Sequence, residues 1–142
     1  MVQADIGDGI RWVGVQNPDL RIFDVVMRTE WGTSYNSYLI QGSEKTAIID
    51  PVKEQYALEQ IAKIGAYCDP AQIDYIICNH TEPDHSGSLD KLLTIAPNAT
   101  VVCSSVGATY LEAMLNHKFK VRTVKDGDTL SLGGKTLRFL SV

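Results

Sequence analysis

Cysteine is scarce in this sequence: Cys68, Cys78 and Cys103 are widely spaced, odd in number and include no Cys-x-x-Cys. That argues against a disulfide framework and for a reducing compartment. Cys78 and Cys103 stand in apolar, strand-like runs, where core packing is expected rather than redox chemistry. Positive charge is not in excess, since 13 Lys and Arg face 17 Asp and Glu for a net charge of -4. With no basic cluster, nucleic acid is not an expected partner. No apolar run approaches the roughly 18 residues that a membrane-crossing helix requires. Met1-Val2-Gln3-Ala4-Asp5 has neither the basic region nor the apolar core of a secretion signal. A cytoplasmic protein without a membrane partner is the expectation, and internal repeats, linkers and low-complexity stretches are absent.

What is present is a β-rich opening followed by alternating strands and helices. At 142 residues the chain fits one domain that buries about two-thirds of its unfolded surface. Strands are predicted at 10–15 and 23–27 on either side of the turn Asn17-Pro18-Asp19, and at 35–40 and 46–49 around Gly42-Ser43. After Asp50-Pro51 the spacing of Tyr56, Leu58, Ile61, Ala62 and Ile64 turns helical, with Gly65 near the end. A strand at 74–79 leads into a helix over 86–95, with Ser86 as its N-cap and Leu89, Leu92 and Leu93 as its apolar face. A strand at 100–103 and a helix at 105–116 repeat the unit. Strands at 121–124, 129–132 and 136–140 follow, with turns at Asp126-Gly127-Asp128 and Gly133-Gly134. This order predicts an α/β sandwich with helices outside two facing sheets. Residues 135–142 alternate like a strand and stop without a turn, so a fragment is expected, and one sheet face left short of its partner predicts self-association.

The chemistry concentrates in residues 80–85, His-Thr-Glu-Pro-Asp-His. Two imidazoles and two carboxylates leave an apolar run, Asp74-Tyr75-Ile76-Ile77-Cys78-Asn79, that reads as a buried strand. Pro83 holds its own φ and pushes Glu82 to an extended conformation, so a stiff loop is predicted. Successive side chains of an extended segment diverge, so His80 and Glu82 are expected to face one metal ion while Asp84 and His85 turn to a second. Imidazole with carboxylate and no thiolate shifts the preference towards iron or manganese.

The motif resembles that of the metallo-β-lactamase superfamily, whose usual form is His-x-His-x-Asp-His after a central strand. Glu82 stands where zinc hydrolases carry a second His, and His-x-Glu-x-Asp-His is the variant typical of flavodiiron proteins. Trp31-Gly32-Thr33-Ser34-Tyr35-Asn36-Ser37-Tyr38-Leu39 is similar to the Gly-Thr-Thr-Tyr-Asn-x-Tyr-Leu stretch of that family. The resemblance implies a metallo-β-lactamase-like αββα sandwich, here its N-terminal portion over residues 1–142, with a flavodoxin-like domain further along. It implies two iron ions held by His80, Glu82, Asp84 and His85 with a later His, Asp and His. It also implies FMN as electron source, dioxygen or nitric oxide as substrate, rubredoxin or a similar donor, and a homodimer or tetramer. None of the later ligands is in the chain. His117 lies 32 residues after His85, short of the family's next ligand. The alternative is a dizinc hydrolase of the same superfamily, with zinc as a substitute metal, and Glu82 argues against it.

Other residues carry weaker signals. Asp50 ends an apolar run, and either a second-layer acceptor for a ligand His or a turn cap fits that position. His117 closes a helix, where a cation complements the dipole at the surface. Trp31 and Tyr35 flank a turn, where packing on a core is expected. Asp126-Gly127-Asp128 lacks the remaining positions of a calcium loop and is read as a hairpin turn.

Overall fold

A computed structural model describes residues 4–142. Met1, Val2 and Gln3, part of the stretch read above for a secretion signal, lie outside the described residues. In chain order the strands are β1 (Ala4–Gly7), β2 (Ile10–Trp12), β3 (Val15–Asn17), β4 (Ile22–Phe23), β5 (Met27–Arg28), β6 (Thr33–Tyr35), β7 (Tyr38–Gln41) and β8 (Thr46–Ile49). Helix α1 (Ala57–Gly65), β9 (Tyr75–Ile77), α2 (Pro83–Ser86), α3 (Leu89–Ile95), β10 (Thr100–Cys103) and α4 (Ser105–Met114) follow. The strands β11 (Lys120–Thr123), β12 (Thr129–Ser131) and β13 (Thr136–Arg138) close the series.

Seven strands form one sheet in the order β1-β2-β7-β8-β9-β10-β11. The connection from β7 to β8 is too short for anything but an antiparallel hairpin, whereas α1, the pair α2 and α3, and α4 each supply a crossover long enough to make β8, β9, β10 and β11 parallel. Side chains alternate across the strands. Leu39, Ile48, Ile76 and Val101 face the helices and meet Ile64, Leu92 and Leu111, while Ile40, Ala47, Ile77 and Val102 face Leu130 and Leu132 of the β12–β13 hairpin. Both faces are covered, which is why the run through β9 is continuously apolar. The layers are therefore helices, the seven-stranded sheet and the two-stranded sheet β12–β13. Among the described residues no helix is long and apolar enough to cross a membrane.

The central elements lie close to their predicted positions, and the departures have local causes. The expected strand over 10–15 is broken at Gly14, where any Cβ would collide with the Tyr35 carbonyl. The two pieces take different partners, β2 pairing with β7 and β3 with β6. The expected strand over 35–40 is likewise interrupted, at Asn36 and Ser37 between β6 and β7. Residues 23–27 do not form one strand. Asp24 and Val25 adopt φ of 49° and 68°, reversing the chain between β4 and β5, which pair in a two-stranded hairpin.

A β-branched residue in the left-handed region is strained by about 1–2 kcal/mol. Val25 is 89% exposed and gains no packing in return. Val25→Gly is therefore expected to raise the urea unfolding free energy by about 0.5–1 kcal/mol after the added flexibility of the unfolded chain is subtracted; a loss of stability would show that the turn is not strained.

Candidate metal centre

The parallel strands β8, β9 and β10 end at one edge, where ligand sites of α/β sheets assemble. Asp50 follows β8, the His80–His85 segment follows β9, and Ser104 follows β10. Pro83 divides the segment. Glu82 is extended, with ψ of 153°, and Pro83 occupies the first turn of α2, where its missing N–H costs nothing and its fixed φ suits a helix. His80 and Glu82 thus lie on an extended arm, and Asp84 and His85 on one helical turn. This corrects the stiff loop expected over the whole segment: the proline starts a helix instead of forbidding one. Ser86 is likewise not an N-cap. It is the last residue of α2, fully buried, and its hydroxyl donates to the carbonyls of Thr81 and Glu82, each at 2.9 Å.

The side chains meet in two pairs. His80 Nε2 lies 3.4 Å from Glu82 Oε1, and His85 Nε2 lies 3.4 Å from Asp84 Oδ2. The two imidazole centroids are 5.4 Å apart, with their planes at 70°. Among the described residues no three His, Cys, Asp or Glu side chains converge as an ion would require, so neither pair is a complete ligand set by itself. The first pair is well exposed, at 54% and 61%, and such ion pairs add only about 0–1 kcal/mol to stability. His80 and Glu82 are therefore not needed to hold the fold.

Asp50 stands behind His85. Its φ is 53°, and its carboxylate accepts hydrogen bonds from the Asn79 backbone N–H at 2.7 Å and from Asn79 Nδ2 at 3.4 Å. Its Oδ2 lies 3.6 Å from His85 Nδ1, a polar contact longer than a hydrogen bond. Burial pushes this carboxyl above its usual range, against the opposing pull of Asn79 and His85. Asp50 therefore both caps the β9 exit and faces Nδ1 of His85, leaving Nε2 on the Asp84 side. Carboxylates placed in this way orient metal-binding imidazoles. The donor set fits iron: each pair joins a borderline nitrogen to a hard oxygen, and no sulfur takes part.

Two small clefts flank the segment. One, of about 260 Å3, is lined by Leu20, Ile22, Phe23, Lys53, Glu82 and Asp84. The other, of about 280 Å3, lies over the ends of β9 and β10 and is lined by Asn79, Ser104, Lys125 and Leu140, with Cys78 and Cys103 at its floor. A larger cleft of about 820 Å3 opens behind α2, between Lys53, Lys91 and His117. Of the segment it touches only Pro83, so size does not locate the chemistry here. Cys78 and Cys103 are buried free thiols, and burial raises both above the usual thiol range, as their expected packing role requires.

Trp31 and Tyr35 separate. Tyr35 is buried and packs on Tyr56 with ring centroids 5.4 Å apart, its hydroxyl without a partner among the described residues. Trp31 is 84% exposed, so the expectation of core packing fails for it: Gly32, at φ of 79°, turns the chain and leaves Trp31 outside. Asp126 and Asp128 accept the backbone N–H groups of Ser141 and Lys125, as in an ordinary turn.

His117 lies on the surface and pairs with Asp90 at 2.6 Å. The Asp90 hydrogen bond, with help from the Lys118 carbonyl, raises its pKa. A raised imidazole stabilises the fold fully below its unfolded value and loses that contribution as pH rises through the folded value. The margin of the parent over Asp90→Asn is thus expected to shrink as pH rises above the ordinary imidazole value of about 6.5, as read from thermal midpoints; a margin that grows would reverse the assignment.

Sequence reasoning missed the buried polar residues behind the site. Ser37, Gln60, Ser86 and Ser88 are all 0% exposed. The available signal was Gln60 on the apolar face of α1 between Ala57 and Ile64, a polar side chain where a core residue belongs.

Comparison with known proteins places this geometry. Residues 33–142 match the family described as ODP family beta lactamase, and the chain belongs to that family. Within it, the chain corresponds to the N-terminal, β-lactamase-like portion of the flavodiiron proteins, also called type A flavoproteins. It is 49% identical over 141 residues to the flavo-diiron protein FprA2 of Clostridium acetobutylicum, covering 98% of this chain and 35% of that protein. It is 39% identical to the nitric oxide reductase of Moorella thermoacetica, covering 95% of this chain and 34% of that protein. Among solved structures, rubredoxin oxygen:oxidoreductase from Desulfovibrio gigas superposes with a TM-score of 0.92 at 36% identity, over 98% of this chain and 35% of that one. The fold is thus the metallo-β-lactamase α/β sandwich. The chain spans about a third of the length of these relatives.

Proposed function

We propose that this chain forms part of a cytoplasmic non-heme diiron oxidoreductase that reduces dioxygen to water, nitric oxide to nitrous oxide, or both. His80 and Glu82 hold one iron, and Asp84 and His85 the other. The observation that carries the reading is the division of the segment at Pro83 into two imidazole–carboxylate pairs, in a chain so similar to flavodiiron proteins. When bound, two adjacent ions supply electrons to a diatomic and neutralise the charge it gains.

The chain's own residues position that chemistry. Pro83 sets the angle between the two pairs, Asp50 holds His85 by its Nδ1 side, and Ser86 ties the helical turn to the extended arm. The exposed first pair leaves an approach for a small substrate. The remaining ligands, a flavodoxin-like domain carrying FMN, a homodimeric or tetrameric assembly and rubredoxin or a similar donor belong to the same proposal. The names of the relatives favour reduction over dizinc hydrolysis. The natural protein, purified without oxygen, is expected to carry iron and FMN and to consume dioxygen or nitric oxide when reduced. Zinc without flavin, together with hydrolase activity, would overturn the reading.

A further inference from the structure

Behind the candidate centre runs a hydrogen-bonded chain of buried neutral groups. The Val52 N–H donates to Ser88 Oγ at 2.9 Å, and the Ser88 N–H donates back to the Val52 carbonyl at 2.7 Å. The Ser88 hydroxyl, already accepting, donates to Gln60 Oε1 at 2.6 Å, and Gln60 Nε2 donates to Ser37 Oγ at 2.8 Å. Each bond fixes the direction of the next, so the chain has one arrangement. Gln60, Ser88 and Ser37 are all 0% exposed, and water offers no substitute partner.

The two segments joined are the ones that matter. Val52 lies two residues after Asp50, and Ser88 three residues after His85. The join is also tight: a Cβ on Gly87 would lie 2.5 Å from the Pro83 carbonyl oxygen and 2.6 Å from the Glu54 nitrogen. An apolar residue at position 60 would fill the same space between α1 and α3 but would leave the Ser88 hydroxyl without its acceptor and the crossing free to slide.

We propose that Gln60 is a positioning residue: through Ser88 it locks the Asp50 loop to the junction of α2 and α3 and so sets where His85, near the end of α2, presents its Nε2. This rests on the reading of His85 as a ligand. It makes the Asp84–His85 pair dependent on helix α1, whereas the His80–Glu82 pair, ahead of Pro83, is not held by this chain of bonds.

The test compares Gln60→Met with Leu111→Ala in the natural protein. Leu111 is buried in the same core but outside the network. Competition of ferrous iron against a chelator reads the two affinities, and amide hydrogen exchange reads residues 84–88. Both variants lower the unfolding midpoint. Only Gln60→Met is expected to weaken one of the two ions, by about tenfold, and to speed exchange at 84–88. Ser88→Ala, which removes only the hydroxyl, is the milder variant should Gln60→Met not fold, with the same expected result. A folded variant that keeps both affinities and native exchange overturns the proposal, as does an equal loss of iron in Leu111→Ala. If the parent binds no iron, the ligand reading fails, and unchanged exchange at 84–88 would still overturn the lock.

Discussion

His85→Ala is expected to cut the iron content of the natural protein to roughly half and to lower dioxygen or nitric oxide reduction by more than about a hundredfold. The exchange removes the imidazole shared between Asp84 and Asp50, so of this segment only the Asp84 carboxylate is left to the second ion, which the proposed ligands from the rest of the protein then hold far more weakly. The His80–Glu82 pair, on the extended arm, is untouched. Stability should barely move. His85 is about one-third exposed, and its two polar contacts, at 3.4 and 3.6 Å, are of the kind that contribute about 0–1 kcal/mol. Iron analysis, turnover and a urea titration on one preparation check all three statements. Full iron content in the variant would remove His85 from the centre, and collapse of the fold would make it a structural residue.

The second large effect is on the fold. Lys63 is 1% exposed, yet its ammonium is fully engaged. It donates to the Gly14 carbonyl at 2.5 Å, pairs with Glu59 Oε1 at 2.9 Å and sits 4.7 Å from the centre of the Trp12 ring. The contact joins α1 to the backbone where the sheet splits into β2 and β3. Lys63→Ala removes the buried stem and strands the Gly14 carbonyl, a combination expected to cost about 3–4 kcal/mol. Lys63→Met keeps most of the stem and loses only the polar contacts, so about half of that is expected. Denaturant unfolding of both variants separates the contributions. Equal costs would assign the effect to the polar contacts of the ammonium rather than to the buried stem, and a neutral Lys63→Met would show that the charge adds nothing.

What was legible in the sequence follows from the range of the interactions concerned. The run through β9, buried on both faces, and the helix with its apolar stripe at Ile61 and Ile64 announce themselves by composition and period alone. The His80–His85 segment was legible because six adjacent residues carry its imidazoles and carboxylates. Its division into pairs was expected from the divergence of side chains along an extended segment, and its stiffness was legible because proline constrains its neighbours. The direction of that constraint was not: Pro83 both keeps Glu82 extended and begins α2, and only the packing of Ser86 against Thr81 and Glu82 settles that the helix starts there.

The other misses depend on residues distant in the chain. Gly14 breaks a strand because of the Tyr35 carbonyl, and Trp31 is turned outward by the left-handed conformation of Gly32. The β4–β5 reversal has no turn sequence to betray it, since Val25 is among the residues least suited to positive φ. Gln60 and Ser88 matter only as a pair, 28 residues apart.

The central claim is that the two pairs on either side of Pro83 hold separate iron ions. Anomalous scattering at the iron edge, from crystals of the natural protein grown without oxygen, tests it most directly. The account predicts two peaks about 3.5–4 Å apart, one beside His80 and Glu82 and the other beside Asp84 and His85. A single peak shared by His80 and His85, or density at the zinc edge alone, would contradict it.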